Sequence, residues 1–298
     1  MSSPGGASLG IVVSTIGRPA SFRRLVESLD ACPDPASMEL ILVDQSDDRG
    51  CTAVLEGHQW RVPWRAITSG RGASVGRNAG LALTQAPVVA FPDDDAWYPP
   101  ETPARVVAAL TAADAPAALC GRQVTADGRS SMLRWMQEPT EVSAWNFLRT
   151  SIMSTMFFRR DWLAKVGDFD EDMGVGSAGW YGACEESDLL LRVIEAGGRV
   201  PYDPTLLVFQ DEPRDDPDDR FVTKMLNYGC GQGRLWRKRD LPKSLLAWYL
   251  ARKLVAAGVR TARGDRVLAR ADLAWLRGNV AGFRDVPPHE LAHRAVAR

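Results

Sequence analysis

Three consecutive carboxylates, Asp93, Asp94 and Asp95, stand in "AFPDDDAWYPP" (90–100), directly after an apolar run. Like charges side by side repel and resist burial, so an isolated acidic triplet would do no more than cap a solvated turn. Here "PVVAF" delivers the triplet to the edge of a core. Hard carboxylate oxygens at i and i+2 suit Mg2+ or Mn2+, which take one or two carboxylates together with substrate phosphates. That chemistry asks for a phosphate environment nearby. "GRGASVGRNAG" (70–80) offers one: its glycines let backbone approach a ligand, Arg71 and Arg77 bring charge, and a helix follows. Its glycines run G-x-G-x-x-x-G with no GK[ST] after them, so it is neither a dinucleotide fingerprint nor a P-loop. A turn capping a helix explains it equally well. The third candidate is "GACEESDLLLR" (182–192), with Glu185 and Glu186 at a helix start. Acids there favour the helix dipole by about 0.3–1 kcal/mol each. A carboxylate behind a glycine-rich loop can also serve as general base toward a hydroxyl.

The elements that must position these groups alternate. "LGIVVST" (9–15), "MELILVDQS" (38–46), the weaker "RVPWRAITSG" (61–70) and "APVVAFPDDD" (86–95) read as strands. "PASFRRLVESLDAC" (19–32), "SVGRNAGLALTQ" (74–85) and "ETPARVVAALTAA" (101–113) read as helices. Such a series predicts an α/β sheet with largely parallel strands, whose ligands bind beyond the carboxyl ends. Asp44 and the acidic triplet both lie at such ends. Further along, strands are expected over 116–128, 154–160 and 199–211, and a short helix over 161–167. A glycine-rich mobile loop (170–184) leads into a helix over 185–198, with acids at its start and glycines at its end.

Composition narrows the class. The 298 residues are 45% apolar and 24% charged, with a formal net charge of −1, which fits a globular chain and argues against nucleic acid as a partner. Five scattered cysteines without CxxC spacing point to a reducing compartment. The start carries no signal-peptide pattern, and no apolar run reaches the ~18 residues of a membrane span, so a cytoplasmic protein is expected. Charge is uneven, however: residues 234–284 hold 13 Lys and Arg against three Asp, interleaved with Leu, Trp and Ala at helical spacing. This tail either packs its apolar residues on the preceding α/β region or presents them, with the basic residues, to a membrane surface as a peripheral contact. Recognition of an anionic soluble acceptor and assembly into a homo-oligomer are further uses of such a surface.

Taken in order, "IVVSTIGRP", "ELILVDQSDD", "GASVGRNAGL", "VVAFPDDDAWYPP", "VGDFDEDMGVGSAGW" and "EESDLLLRVIEAGG" resemble the family 2 glycosyltransferases of GT-A fold, over roughly residues 9–211. The resemblance implies a GT-A-type α/β fold: a Rossmann-like mixed, mostly parallel sheet flanked by helices, with a C-terminal helical extension. The catalytic domain would occupy 1–233, with its nucleotide-sugar site in roughly 9–115 and its acceptor and base region in roughly 116–211. A basic amphipathic extension would fill 234–298.

Residue by residue, the resemblance assigns nucleoside and diphosphate contacts to Ser14, Thr15, Asp44, Arg77, Asp93 and Asp94. Asp95 and Asp93 match the outer acids of the family's D-x-D motif and would hold Mg2+ or Mn2+. Where many relatives place a histidine as a further metal ligand, this sequence has Gln210, followed by Asp211. Glu186 matches the usual base position, with Glu185 beside it as the alternative. Asp188 and Arg192 would support that helix. "GVGSAGWYGA", with Gly176, Gly179 and Trp180, would be a lid over donor and acceptor, Trp180 stacking on a sugar ring or anchoring the core. The implied activity is inverting transfer of a sugar from a nucleotide-diphosphate donor, UDP- or dTDP-linked, to a hydroxyl of a glycan, lipid-linked or small-molecule acceptor, as in glycan or polysaccharide biosynthesis. The competing readings are a sugar-phosphate nucleotidylyltransferase, disfavoured by the single glycine of "STIGRPASF", and a non-catalytic sugar-nucleotide-binding protein.

Overall fold

Residues 6–131, 133–210 and 217–290 are described in the computed structural model of the chain. β1 (Leu9–Thr15) is buried almost throughout and leads to α1 (Pro19–Asp30), whose proline sits in the first turn. Phe22, Leu25, Val26 and Leu29 form the buried stripe of α1 at i, i+3, i+4 and i+7. β2 (Met38–Asp44) precedes α2 (Gly50–Glu56), a short helix that the sequence pattern does not announce. β3 (Trp64–Ile67) precedes α3 (Ala73–Leu81). β4 (Val88–Ala90) is shorter than the strand expected over 86–95. The chain leaves the ladder at Phe91 and turns through the aspartates, the Ala96 amide donating to the Asp93 carbonyl at 3.1 Å, into β5 (Ala96–Trp97). Then come α4 (Thr102–Thr111), β6 (Ala118–Val124), β7 (Thr140–Glu141), β8 (Met156–Arg159) and α5 (Arg160–Val166). α6 (Glu185–Glu195), β9 (Pro201–Gln210), α7 (Asp219–Lys238), α8 (Lys243–Arg263) and α9 (Arg266–Arg284) complete the series.

The strands form one mixed sheet in the order β3-β2-β1-β4-β8-β6-β9-β5, with β7 on β9. β1, β2, β3 and β4 run parallel, as the strand–helix alternation predicts. β8 is antiparallel to both β4 and β6, while β6 and β9 are parallel. The core packs β1, β2 and β4 against α1, α2 and α4 through side chains such as Ile11, Leu25, Leu42, Cys51 and Val106. α3 approaches β1 on glycines. A Cβ on Gly76 would lie 2.1 Å from Ser14 Oγ, and one on Gly80 2.3 Å from Val12 Cγ1. The glycines of "GRGASVGRNAG" thus serve close packing of helix on strand, which sets Arg77 behind the strand ends.

The chain divides into two compact units: Met1–Phe169 with Leu189–Glu212, and Asp170–Asp188 with Pro213–Arg298. A boundary between 233 and 234 would fall inside α7, which starts at Asp219 behind the capping carboxylate of Asp218. Gly229 and Gly233 meet Gly278 and Gly282 of α9 so closely that a Cβ on any of them would come within 2.2 Å of a carbonyl oxygen of the other helix. α7 and α9 therefore form one backbone-to-backbone seam, and neither can be assigned elsewhere without the other.

Candidate functional site

In the first unit, the acidic turn gathers residues from four places in the chain. Thr15, at the end of β1, donates its hydroxyl to Asp94 Oδ2. Arg18, in the loop after β1, reaches both Asp94 and Asp95 with its guanidinium. Gln210, the last residue of β9, donates Nε2 to Asp95 Oδ1 at 2.7 Å. The last contact follows from strand register, since Ala96 of β5 pairs with Gln210. Arg77 of α3 holds Asp93 at 3.2 Å and lies 5.7 Å from the Phe169 ring. Asp94 is 2% exposed and Arg77 is also buried, whereas the Arg18 side chain is 51% exposed. Burial pushes the Asp94 and Asp95 carboxyls above the ordinary carboxylate range, against the pull of Arg18 and, for Asp94, of Thr15. The turn is therefore a charged cluster whose own cation is the most solvent-accessible of its charged partners.

Asp44, at the end of β2, is fully buried. Its Oδ1 accepts from the Ser46 amide (3.1 Å) and hydroxyl (2.6 Å), and its Oδ2 from the Thr52 amide and hydroxyl (both 2.9 Å). Burial raises its pKa, but these bonds together hold it below the usual value. Four bonds use the acceptor capacity of a carboxylate, so Asp44 organises the β2–α2 turn. Next to it, Gln45 donates Nε2 toward Ser69 Oγ and the carbonyls of Gly70 and Gly72, shaping the loop before α3. Ser14 is half-buried against Gly76.

The second unit carries the carboxylate pair. Glu185 is 5% exposed and packs its carboxyl on Gly174, while Glu186 is half-buried. The residue before them, Cys184, is buried with φ +70°, an uncommon backbone state for a residue with a side chain. Asp188, fully buried, pairs with Lys238 at 3.1 Å and Arg239 at 2.8 Å, and Lys238 also reaches Asp170 at 2.5 Å. The loop ahead of the pair is pinned at its ends: the Gly174 amide donates to the Tyr181 carbonyl at 2.8 Å, and the Gly182 amide to the Asn227 carbonyl at 3.1 Å. Tyr181 donates to Asp285, which Arg234 also holds at 2.9 Å. Between those pins lie Gly176 (φ +77°), Gly179 and Trp180, whose ring is tilted against Tyr181. Trp180 Nε1 and Ser177 Oγ are buried without hydrogen-bond partners, a costly arrangement for a closed loop. In the first unit, Arg192 of α6 donates to the carbonyls of Val166, Gly167 and Asp168 at the end of α5.

The oxygens of the acidic turn fit a hard divalent cation. Gln210 Oε1 is buried with no hydrogen-bond partner, beside the carboxylate that its own nitrogen contacts. A carboxylate and an unused amide oxygen make an all-oxygen donor set suited to Mg2+ or Mn2+. Among the described residues no three Asp, Glu, His or Cys converge into a cage, so phosphate and water oxygens would have to complete the shell. Asp211 lies outside the described residues.

Of the residues singled out from sequence, the structure brings Thr15, Asp94, Asp95 and Gln210 into one cluster and joins Arg77 to its Asp93 side. Glu185, Glu186, Gly176, Gly179 and Trp180 belong to the other unit. Sequence reasoning missed Arg18 and Gln45. Both directly follow strand ends, Arg18 in the "GRP" after β1 and Gln45 immediately after Asp44, and that position was the available signal.

No curated protein matches the sequence as a relative. Among solved structures, the chain resembles the mannosyltransferase PcManGT from Pyrobaculum calidifontis, in complex with GDP-Man and Mn2+, at 14% identity and TM-score 0.62, covering 92% of this chain and 87% of that one. It also resembles S. aureus TarS 1–349 in complex with UDP-GlcNAc, at 12% identity and TM-score 0.60, covering 93% and 92%. The UDP complex of the same TarS fragment aligns at 14% identity and TM-score 0.55, covering 93% and 91%. At these identities the likeness speaks for the fold, which is GT-A. Residues 10–167, more than half of the 298, match the family described as Glycosyl transferase family 2. The chain belongs to that family and is a glycosyltransferase.

Proposed function

We propose that the protein transfers a sugar from a nucleoside-diphosphate donor, UDP- or dTDP-linked, to an acceptor hydroxyl with inversion at the anomeric carbon. The observation that carries this reading is the acidic turn. Carboxylates, an unused buried amide oxygen and two arginines converge at the carboxyl ends of parallel strands, where a departing diphosphate would need them.

Asp95, Asp93 and the Gln210 oxygen would hold a divalent cation, whose role when bound is to offset negative charge on the diphosphate. Arg77 adds fixed positive charge from behind the turn, and Arg18, once its carboxylates are otherwise matched, becomes free to pair with phosphate. Asp94 and Thr15 brace the turn from below. The nucleoside would rest on the loops that Asp44 and Gln45 organise, with Ser14 at their edge. Asp44 then acts through Ser46 and Thr52.

Glu186 is the favoured base because it keeps solvent access while Glu185 is buried against Gly174. It takes the acceptor hydroxyl's proton as the oxygen attacks the anomeric carbon. A new carbon–oxygen bond forms opposite the breaking bond to the diphosphate, and the nucleoside diphosphate leaves. Residues 174–181 serve as a lid, and a polyhydroxyl ligand would relieve its unpaired Trp180 and Ser177 groups.

The test is a thermal-shift panel of UDP, dTDP, GDP and CDP, each with Mn2+, Mg2+ or EDTA. Stabilisation by one diphosphate, lost in EDTA and in Asp95→Ala, is the expected result and identifies the donor's base. Absence of a shift with every diphosphate would overturn the reading.

A further inference from the structure

α8 and α9 turn outward a surface that glycosyl transfer does not explain. On α8, Trp248, Leu254, Val255 and Val259 are 52%, 59%, 66% and 45% exposed, while Leu246 and Ala257 are buried. Trp248, Val255 and Val259 recur at i, i+7 and i+11 and so share one face, while Leu254 lies about 100° or more around the helix from them. On α9, Leu273 and Val280, seven residues apart, are also exposed. Isolated exposed apolar residues need no explanation, but a row along one helix face does.

The charge around these rows is predominantly basic. Arg252 and Arg263 on α8 and Arg277 on α9 are exposed, and Arg252 lies 4.8 Å from the Trp248 ring. The only carboxylate within the two helices, Asp272, is buried between Lys253 (2.8 Å) and Arg260 (2.6 Å). No acid of α8 or α9 itself turns outward; the exposed acids beside them include Asp219 of α7, paired with Arg270 at 2.9 Å, and Asp265 between the two helices. A second copy docking by two-fold symmetry would bring this arginine-rich patch against the same patch, which is unfavourable. Among the described residues no helix is long and apolar enough to cross a membrane. A helix face with exposed Trp and Val, rimmed by more arginines than acids, matches an anionic bilayer surface.

We propose that α8 and α9 dock the protein on anionic phospholipid. Trp248, Val255 and Val259 enter the headgroup–acyl boundary, and Arg252, Arg263 and Arg277 meet lipid phosphates. The docking stands independently of the donor site. Its corollary, an acceptor hydroxyl presented by the membrane, rests on the transfer reading above.

The test is flotation of the full chain with vesicles of phosphatidylcholine alone or mixed with phosphatidylglycerol. The protein should float with the mixed vesicles, stay behind with phosphatidylcholine, and detach in high salt. Val255→Asp with Val259→Asp should abolish flotation. Arg252→Glu, Arg263→Glu and Arg277→Glu together should lower partition by about a hundredfold or more, at ~1 kcal/mol per basic residue near the surface. Melting temperature and nucleoside-diphosphate shifts measured on the same variants should stay at wild-type values, which separates failure of docking from failure of the donor site. No flotation on the mixed vesicles, or equal flotation of the aspartate variant, overturns the proposal. So does a dimer in light scattering that the aspartate variant dissolves, since a second copy would then cover the face.

Discussion

Gly231 of α7 lies directly against Ala183, two residues ahead of Glu185: a Cβ at Gly231 would stand 2.3 Å from the Ala183 carbonyl oxygen. A backbone oxygen cannot swing aside as a long side chain can, so any side chain there must displace the acid-bearing segment. Gly231→Ala should lower stability by about 1–3 kcal/mol, the range for overpacking. It should cut transfer further than the stability loss explains, while diphosphate binding measured by calorimetry stays near wild type. Unchanged turnover would show that the segment tolerates displacement.

Glu186→Gln keeps the shape of the side chain and removes its basicity. Turnover should fall by about 100-fold or more, as for loss of a general base, with the donor dissociation constant unchanged. Glu185→Gln should act differently. Glu185 is buried against Gly174, so its loss should show first in melting temperature. If the two kinetic outcomes are exchanged, the base is Glu185.

Arg18→Met removes the cation that serves one buried carboxylate, Asp94, and one half-buried carboxylate, Asp95. Because the Arg18 side chain is half exposed, the stability cost should be modest, about 1–2 kcal/mol and below that of a fully buried pair. Mn2+ should then raise the melting temperature of the variant more than that of wild type, since the ion no longer competes with a guanidinium. Equal responses in both proteins would mean that Arg18 and the metal do not share these oxygens.

Asp94 and Asp95 keep their protons to higher pH than ordinary carboxyls, because burial outweighs the help of Arg18. Raised folded-state values mean that protonation favours the folded chain. The contribution is complete below the ordinary value of 3.8 and is lost as pH rises through the raised values. A divalent cation needs the ionised oxygens, so its affinity should weaken on acidification while the pH is still above the ordinary carboxylate range. Calorimetry in buffers of different ionisation enthalpy should show protons released on binding near the raised values. Affinity that stays flat down to the ordinary value would refute the coupling.

Local elements were legible where burial left a periodic trace. β1 spans Leu9–Thr15 as the apolar run suggests, and α1 shows its stripe from Phe22 to Leu29. α2, seven residues without a side-chain cap, left little pattern to read. The acidic turn was visible as composition, but its partners were not. Gln210 meets Asp95 only through the pairing of β5 with β9, and Arg18 closes on aspartates far along the chain. The second unit was the least legible. Gly229, Gly231 and Gly233 each weaken a helix by about 1 kcal/mol relative to alanine, and only the seam with α9 and the contact with Ala183 explain them. Likewise, Asp188 finds Lys238 and Arg239 across a long sequence separation. The segment bearing Glu186 therefore folds with the helices beyond it, and a chain ended at residue 233 should leave that segment without its ion pairs and unable to support transfer.

Because Arg18 already pairs with Asp94 and Asp95, a divalent cation loading this turn must displace a guanidinium from the oxygens it takes. The guanidinium is held nearby by the chain, whereas the ion comes from solution, where dissolved salt screens its attraction to the carboxylates. Cation binding at the turn should therefore weaken as ionic strength rises, and respond sharply to which ion is offered. The chain carries a resident competitor that sets the least affinity an incoming ion must have.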